Sequence, residues 1–368
     1  MNSRLFRSFL VTAVVIGATL RIALPAPGQN TPSAARVPAT ASATTPAKAK
    51  PWTPPRTSWG DPDIQGWFSN RTEDATPLER PAQFEGRRLE DVKGEELAAI
   101  KRQAQERTVN QFKNDPLSAP EHWWQDALKI VDGTQAWLVV DPPEGKIPAT
   151  TAQSRVRAAA RTAARRGHGP ADSWEDRSLY DRCITRGLPG SMMPAIYGNS
   201  YQIVQAPGFV VIRYEMIHET RVIPLDGSAH VAPEIRSYMG DPRGHWEGDT
   251  LVVDTTNFRD ESAYRNANGA TLRLIERFRR VAADKVLWSV TVDDPETWVK
   301  PWTFAMHLTI DDSQPVLEYS CHEGNYGLRN ILSAARAEEK KAADEAAKKS
   351  IAAPKGAAAQ KDVPAQQR

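Results

Sequence analysis

The sequence predicts a mainly β protein with peripheral helices, in which about eight antiparallel strands form a meander that closes into a barrel or folds into a sandwich. Two observations carry this prediction. From about Tyr201 onward, short runs of β-formers follow one another at close spacing, and Pro, Gly, Asn and Asp separate them. Helical periodicity is confined to segments before and after this region. A closed barrel of about eight strands has an interior that side chains fill or that one small ligand occupies.

The first residues have the sequence pattern of a secretory signal peptide, which we place at residues 1–29. Two arginines precede the apolar run Ser8–Leu20, and Pro25 and Pro27 follow it. This run is shorter than the roughly 20 residues that a membrane-spanning helix requires. We therefore expect export with removal of the signal rather than an uncleaved anchor, a periplasmic or secreted location, and no stable membrane span in the mature protein.

Composition divides the rest of the chain into four segments. Residues 30–57 are rich in Pro, Ala and Thr and are expected to form a disordered linker, because they hold too little apolar surface to fold. Residues 58–170 are expected to form a mixed helical segment that packs on the barrel, and residues 171–332 the barrel-like domain itself. Residues 333–368 predict a charged helix that continues into a disordered tail.

Helical signals dominate the segment at residues 58–170. Residues 89–115 predict one helix with a thin apolar stripe of Leu97, Ile100 and Val109. Ala136–Val140 predicts a short strand that two prolines end. An alanine-rich helix follows, and it carries three arginines on one side, Arg157, Arg161 and Arg165. Such a stripe is more often a solvated helix face than a site for an anionic partner.

Charge and motifs exclude several classes of function. The formal net charge is only +2, from 47 basic and 45 acidic residues, which gives no field for binding nucleic acid. The sequence has no phosphate-binding P-loop, no dinucleotide-binding glycine fingerprint and no G-x-S-x-G elbow. Its 7 histidines are not arranged in an H-x-H or H-E-x-x-H pair. The sequence therefore indicates no metal and no particular cofactor.

The chain contains two cysteines, Cys183 and Cys321. An isolated pair in an exported protein predicts a disulfide, because the compartment is oxidising. The alternative, that one of them is a nucleophile, requires a thiolate that stays reduced outside the cytoplasm.

Strand alternation places two ionisable side chains on otherwise apolar faces. In the long run Phe209–Ile223, which has the length of two strands, His218 and Val222 fall on the more apolar face and Arg221 on the other. In a later run, the same rule places Glu276 between leucine and phenylalanine side chains. Each of these groups costs several kcal/mol to bury unless it is paired.

Three hypotheses account for His218 and Glu276. In the first hypothesis, a backbone group or an arginine satisfies each side chain separately. In the second, the two side chains meet as a catalytic acid and base, and in the third they contact a common ligand. An interior lined by aromatic side chains with few polar groups is typical of a small-molecule pocket. The other side chains expected to line it are Tyr214, Met216, Trp288, Trp302 and Phe304.

The stretch Arg243–Phe258 combines turn and strand signals. Gly240–Gly244 predicts a turn and Thr250–Phe258 a strand, so that Glu247 and Asp249 fall at the junction. These carboxylates are expected to be solvated; the alternative is an acid and base couple at the barrel mouth, since residues two apart share a strand face.

A loop rich in functional groups follows the last predicted strand, which spans residues 316–321. Loops on a rigid scaffold often carry binding residues, and a disulfide would attach this loop to the start of the barrel. Its candidate ligand-binding residues are His322, Glu323, Asn325 and Tyr326.

Several motifs occur in the order found in an uncharacterised family of exported bacterial proteins, which the chain resembles from about Trp59 to Ala335. They are PDIQGW, TPLERP, GHWEGDTLVVDTTNF and EYSCHEGNYG. The resemblance implies export and a shared fold but no reaction. The β-rich half also resembles lipocalin-type barrels, because Gly244-His245-Trp246 matches their Gly-x-Trp motif. In those barrels the motif lies in the first strand, whereas here predicted strands precede it.

These observations favour an exported barrel-like protein that binds a small apolar or aromatic ligand. The alternative is a cofactor-independent hydrolase, lyase or isomerase that uses His218 and Glu276 as acid and base. A purely structural envelope protein would need neither of these polar groups inside the barrel. Fold alone does not decide between these functions.

Overall fold

Ten strands pair antiparallel in one sheet in the computed structural model, which describes residues 52–113, 133–195, 197–311 and 315–352. The strands are β1 (Gly66–Ser69), β2 (Val139–Asp141), β3 (Ser200–Ala206), β4 (Phe209–Tyr214), β5 (Thr220–Pro224), β6 (Asp241–Glu247), β7 (Thr250–Thr256), β8 (Arg273–Ala282), β9 (Lys285–Asp293) and β10 (Trp302–Ile310). The α-helices of the described part are α1 (Gly94–Lys113), α2 (Ala152–Ala164) and α3 (Gly327–Ala352). The predicted fold class, mainly β with peripheral helices, is confirmed.

The sheet curls into a nearly closed barrel with the strand order β5-β4-β3-β1-β10-β9-β8-β7-β6. Strand β2 also pairs with β10. Phe68 of β1 pairs with Ile310 near the end of β10, whereas Val139 of β2 pairs with Phe304 near its start. The barrel therefore takes two short strands from the part of the chain before residue 170.

The end strands β5 and β6 meet at a seam without a strand pairing among the described residues. They approach closely because Gly244 of β6 has no side chain. A Cβ at Gly244 would lie 2.6 Å from Leu225 Cδ2 and 2.8 Å from Ile223 Cγ2. Side-chain packing, and not a hydrogen-bonded ladder, therefore closes the barrel here.

We expect Gly244→Ala to lower the free energy of unfolding by about 1–3 kcal/mol, because the added methyl group overpacks the seam. Urea denaturation of the folded chain measures this loss. Gly190→Ala is the matched control, since a Cβ there meets no atom within 4 Å. Equal stability of Gly244→Ala and the wild type would contradict this description of the seam.

The run Phe209–Ile223 forms two strands, as its length suggested, and a tight turn at Met216–His218 separates them. Ile217 in this turn has a φ of 61°, in the left-handed region. The turn changes the alternation, so that Arg221 is 3% exposed and Val222 is 51% exposed. The prediction that Val222 faces inward and Arg221 outward is wrong, because the turn shifts the register by one residue.

The stretch Arg243–Phe258 forms a β-hairpin, with Gly248 and Asp249 as its turn. Most of Gly240–Gly244 belongs to β6 and pairs with β7, so the prediction of a turn there is wrong.

The prediction of a last strand at residues 316–321 is also wrong, because no strand follows β10 in this part of the described chain.

Helix α1 packs on the outside of the barrel through Leu97, which lies with Phe84 and Trp137 in a small apolar cluster. Leu97 and Ile100 of the predicted apolar stripe pack in this cluster, whereas Val109 does not belong to it. The helix begins at Gly94 and not at residue 89, because a separate 3-10 turn spans Leu89–Asp91. Helix α3 is almost fully exposed, as its charged composition predicted. No helix of the described residues has both the length and the apolarity needed to cross a membrane.

Candidate binding site in the barrel interior

A continuous set of aromatic rings, here called the aromatic wall, lines the interior along β8, β9 and β10. Phe278 stacks on Trp288 at 6.2 Å between ring centroids, and Trp288 meets Phe304 edge-on at 5.5 Å. Trp302 lies 6.1 Å from Phe304 and meets Trp298 edge-on at 5.8 Å. All five rings are buried. Strand alternation places Phe278, Trp288, Trp302 and Phe304 on the inner face, whereas Trp298 belongs to the connection between β9 and β10.

A buried ion pair between Arg221 of β5 and Glu276 of β8 adjoins this wall. One oxygen of Glu276 accepts a hydrogen bond from Arg221, and the other accepts one from Trp288 Nε1 at 3.2 Å. Arg221 Nη2 also donates to Thr255 Oγ1 of β7 at 3.1 Å. The Arg221 side chain therefore reaches past β6 and bridges the seam from inside the barrel.

Several polar atoms beside this pair have no partner with standard hydrogen-bond geometry among the described residues, although the Arg221 guanidinium and the Tyr214 hydroxyl lie close enough to interact. They are Arg221 Nε and Nη1 and the hydroxyls of Tyr201 and Tyr214, and we call them the interior donors. Tyr201 and Tyr214 face each other on β3 and β4. Both tyrosines are almost completely buried, and a buried donor without an acceptor carries a penalty of about 1–3 kcal/mol. An acceptor from a ligand or from water would remove that penalty.

Electrostatics keep these groups in their donor forms at neutral pH. Burial raises the pKa of the Tyr201 and Tyr214 hydroxyls above the ordinary range of tyrosine. Burial lowers the pKa of Arg221, but the neighbouring Glu276 carboxylate raises it further, so that it lies above its usual value. The interior therefore presents a neutral ion pair and protonated hydroxyl groups.

The structure brings four of the predicted lining residues into the barrel core: Tyr214, Trp288, Trp302 and Phe304. Met216 instead packs outside this core with Ile217 and the disulfide, against Gly198. Sequence reasoning did not single out Arg221 or Tyr201 as site residues. Alternation of β3 could have placed Tyr201 inside, whereas Arg221 depends on the turn before β5.

Glu276 lies fully inside the barrel, as alternation in β8 predicted. Both of its oxygens are engaged, by Arg221 and Trp288, which agrees with the hypothesis that an arginine satisfies the carboxylate. His218 belongs to the turn before β5, but its side chain lies outside the described residues. Its pairing with Glu276 stays a prediction.

The predicted disulfide between Cys183 and Cys321 is present, with 5.8 Å between the two Cα atoms. The disulfide attaches the loop before helix α3 to the segment before β3. Asn325 donates to the Cys321 carbonyl at 2.8 Å and accepts from the Gly327 backbone at 2.8 Å, so it links the disulfide to the first turn of α3. The other predicted ligand-binding residues of this loop are exposed to solvent: His322, Glu323 and Tyr326.

Glu247 and Asp249 lie on the outer surface. Arg277 donates to Glu247 at 2.7 Å, and Arg56 forms an ion pair with Asp249. Hydrogen bonding to Arg277 lowers the pKa of Glu247. These carboxylates are partly solvated and paired with arginines, as their location at a turn suggested.

A second set of buried charged groups lies outside the barrel, under α1. Lys101 forms an ion pair with Glu73 at 3.4 Å and donates to Thr76. Thr134 donates to Glu73 and lies 3.2 Å from His307 Nδ1 on the outer face of β10. Glu73 and Lys101 are almost completely buried, so they attach α1 and the segment before it to the barrel.

Asp74, beside these groups, makes stability depend on pH. Burial raises its pKa to about 7, although Arg71 and Lys101 oppose the shift. The folded state therefore holds a proton that the unfolded state releases above about pH 4, so stability falls as pH rises from about 4 to 7. We expect Asp74→Asn to remove roughly 2–3 kcal/mol of this fall.

Urea denaturation of wild type and Asp74→Asn at a series of pH values measures this difference. The neighbouring groups that titrate or carry charge, Glu73, Lys101, Arg71 and His307, remain in both proteins, so the difference isolates Asp74. Parallel stability curves between pH 4 and 7 would show that Asp74 ionises normally.

Among the described residues, no set of three or more His, Cys, Asp or Glu side chains is placed to bind a metal ion.

Comparison with known proteins gives no family assignment. No family model matches the chain, and no curated protein matches it. One similar solved structure is the crystal structure of a single-substitution mutant of the fluorescent protein UnaG, which is 12% identical, covers 36% of this chain and 85% of that chain, and gives a TM-score of 0.21. No inference about function rests on a similarity at this level.

Proposed function

We propose that this chain is an exported, periplasmic or secreted protein that binds a small apolar or aromatic ligand inside its β-barrel. The observation that carries the proposal is the aromatic wall, which meets a group of unpartnered donors in the same buried interior. Apolar linings with a few convergent polar groups are typical of small-molecule sites. Barrels of about this size hold one small ligand in other proteins.

Export is part of the proposal and has separate support. The basic residues and the apolar run at the N-terminus match the pattern of a signal peptide. The motifs of the chain also resemble those of exported bacterial proteins. The disulfide between Cys183 and Cys321 fits an oxidising compartment. N-terminal sequencing of the protein from its natural source tests this part. An intact N-terminal methionine on cytoplasmic protein would contradict it.

The alternative, an enzyme with Glu276 as acid or base, receives less support from the interior. A general base must be free to accept a proton from its substrate. Each Glu276 oxygen already accepts one hydrogen bond, from Arg221 or from Trp288, and the carboxylate has no exposed surface. The pair is better suited to hold the barrel together and to position donors than to exchange protons.

Native mass spectrometry of protein purified without denaturation from its natural source tests ligand binding directly. We expect a small organic molecule that leaves only when the chain unfolds. The matched control is the double variant Arg221→Met/Glu276→Leu, which removes the polar groups but keeps the apolar volume, and we expect it to retain less of that molecule. A mass equal to that of the bare chain in repeated preparations would contradict the proposal.

A further inference from the structure

We propose that the ligand of this barrel is uncharged and carries a hydrogen-bond acceptor, such as a carbonyl or ether oxygen, which the Tyr201 and Tyr214 hydroxyls and the Arg221 guanidinium receive. This inference rests on the proposed function and specifies the ligand class. It follows from three properties of the interior: its charge balance, the type of its free polar atoms and the position of the aromatic wall.

Charge balance disfavours an anionic ligand. Arg221 and Glu276 have side chains that are 1% and 0% exposed, and they neutralise each other. Arg280 also belongs to the inward face of β8, but it lies at the end of the strand, where it donates to the backbone carbonyls of Asp63 and Ala283. The other inward side chains of β7 to β10 carry no charge: Leu251, Val253, Thr255, Leu274, Phe278, Val286, Trp288, Val290, Val292, Trp302, Phe304, Met306 and Leu308. A carboxylate ligand beside Glu276 would therefore add a second anion where Arg221 is already paired, which is costly in a buried site.

The free polar atoms favour an acceptor over a donor. Arg221 Nε and Nη1 can only donate, and the two tyrosine hydroxyls have protons to donate. Each oxygen of the Glu276 carboxylate already accepts one hydrogen bond, and Arg221 balances its charge. A ligand carbonyl oxygen could accept from two of the interior donors at once.

The aromatic wall accounts for the rest of the ligand. Trp288 joins the two regions, since its Nε1 donates to Glu276 while its ring contacts Phe278 and Phe304. A molecule with its acceptor at the interior donors would therefore extend its body along these rings. Flat apolar rings stack favourably on such a surface, at about 0.5–1.5 kcal/mol for each aromatic pair.

Three fluorescent naphthalene probes separate the ligand classes, because they share a flat apolar body and differ in their polar group. Prodan is a neutral ketone, phenylnaphthylamine is neutral without a carbonyl, and anilinonaphthalenesulfonate is an anion. Titration of the full chain at neutral pH with each probe gives three Kd values. We expect prodan to bind most tightly and the sulfonate most weakly.

The double variant Tyr201→Phe/Tyr214→Phe keeps the rings and removes only the hydroxyl groups. Loss of a hydrogen bond between neutral groups corresponds to about 0.5–1.5 kcal/mol, so we expect the Kd of prodan to rise by about 2- to 12-fold. The Kd of phenylnaphthylamine should stay unchanged, which also reports that the interior is still folded. Tyr238→Phe is the matched control, because Tyr238 lies in the connection between β5 and β6 with its ring under Arg259.

The outcomes separate the two proposals. If none of the probes binds, the proposed function is overturned together with this inference. If the sulfonate binds more tightly than prodan, or if the double variant binds prodan as the wild type does, the inference is overturned while ligand binding stands. An unchanged prodan Kd would also mean that water or another protein group satisfies the tyrosine hydroxyls.

Discussion

Arg221→Ala is expected to lower the free energy of unfolding by about 3–5 kcal/mol, because it leaves the Glu276 carboxylate buried without its cation. Glu276 has no exposed surface, so water cannot replace the lost guanidinium without opening the barrel. The substitution also removes the side chain that bridges β5 to β7 and β8 across the seam, where strand pairing among the described residues is absent. The unpaired carboxylate and the loss of the bridge both lower the free energy of unfolding.

Urea denaturation of wild type and variant measures the loss. Arg277→Ala is the matched control: Arg277 is the next residue on β8, but its ion pair with Glu247 is about half exposed and is expected to contribute less than about 1 kcal/mol. The double variant Arg221→Met/Glu276→Leu should recover most of the loss, since no charge is then left buried. Equal losses for Arg221→Ala and Arg277→Ala would contradict the buried bridge.

Removal of the disulfide is expected to lower the free energy of unfolding by about 3–5 kcal/mol, by the chain-entropy model for a long closed loop. Cys183 and Cys321 are separated by 138 positions, and the bond links the segment before β3 to the start of helix α3. It lies in a small buried cluster with Met216 and Ile217, at the turn that sets the register of β5. Loss of the bond therefore weakens the support of that turn.

The double variant Cys183→Ala/Cys321→Ala, compared with oxidised wild type in urea, measures this contribution. Wild type under reducing conditions should match the variant, and thiol labelling of the unfolded, oxidised protein should find no free cysteine. Two labelled thiols per chain, or a variant as stable as the oxidised protein, would contradict this account.

Several features of the fold were predictable from local sequence patterns or from composition. Alternation in β8 and β9 placed Glu276 and Trp288 inside the barrel, and both are buried. The isolated cysteine pair predicted the disulfide. The charged composition after Ser333 predicted an exposed helix. The alternation and the charged composition extend over many residues, and two cysteines allow only one intramolecular pairing. These signals are therefore unambiguous.

The register of β5 was not predictable in the same way. Its change depends on one residue, Ile217, in a left-handed conformation that a β-branched side chain seldom adopts. Nothing in the local sequence marks that position as a turn, so continuous alternation placed Arg221 on the outer face. Strand β1 was missed for a related reason, since Gly66–Ser69 is too short for a period to be recognised.

The candidate site depends on tertiary contacts that no local pattern contains. Arg221 meets Glu276 only because the sheet closes on itself and brings β5 beside the strands that follow it. Tyr201 could have been assigned to the interior from alternation in β3, but its lack of a partner is visible only when its neighbours are in place. The charged groups around Glu73 and Lys101 likewise come from distant parts of the chain.

The most direct test of the central claim is a high-resolution crystal structure of the protein purified natively, without refolding. We expect density for a small organic molecule along the aromatic wall, with an acceptor oxygen about 3 Å from the Tyr201 and Tyr214 hydroxyls or from Arg221. Ordered water alone at these donors, in protein that had kept its natural contents, would contradict a ligand-binding role for the barrel.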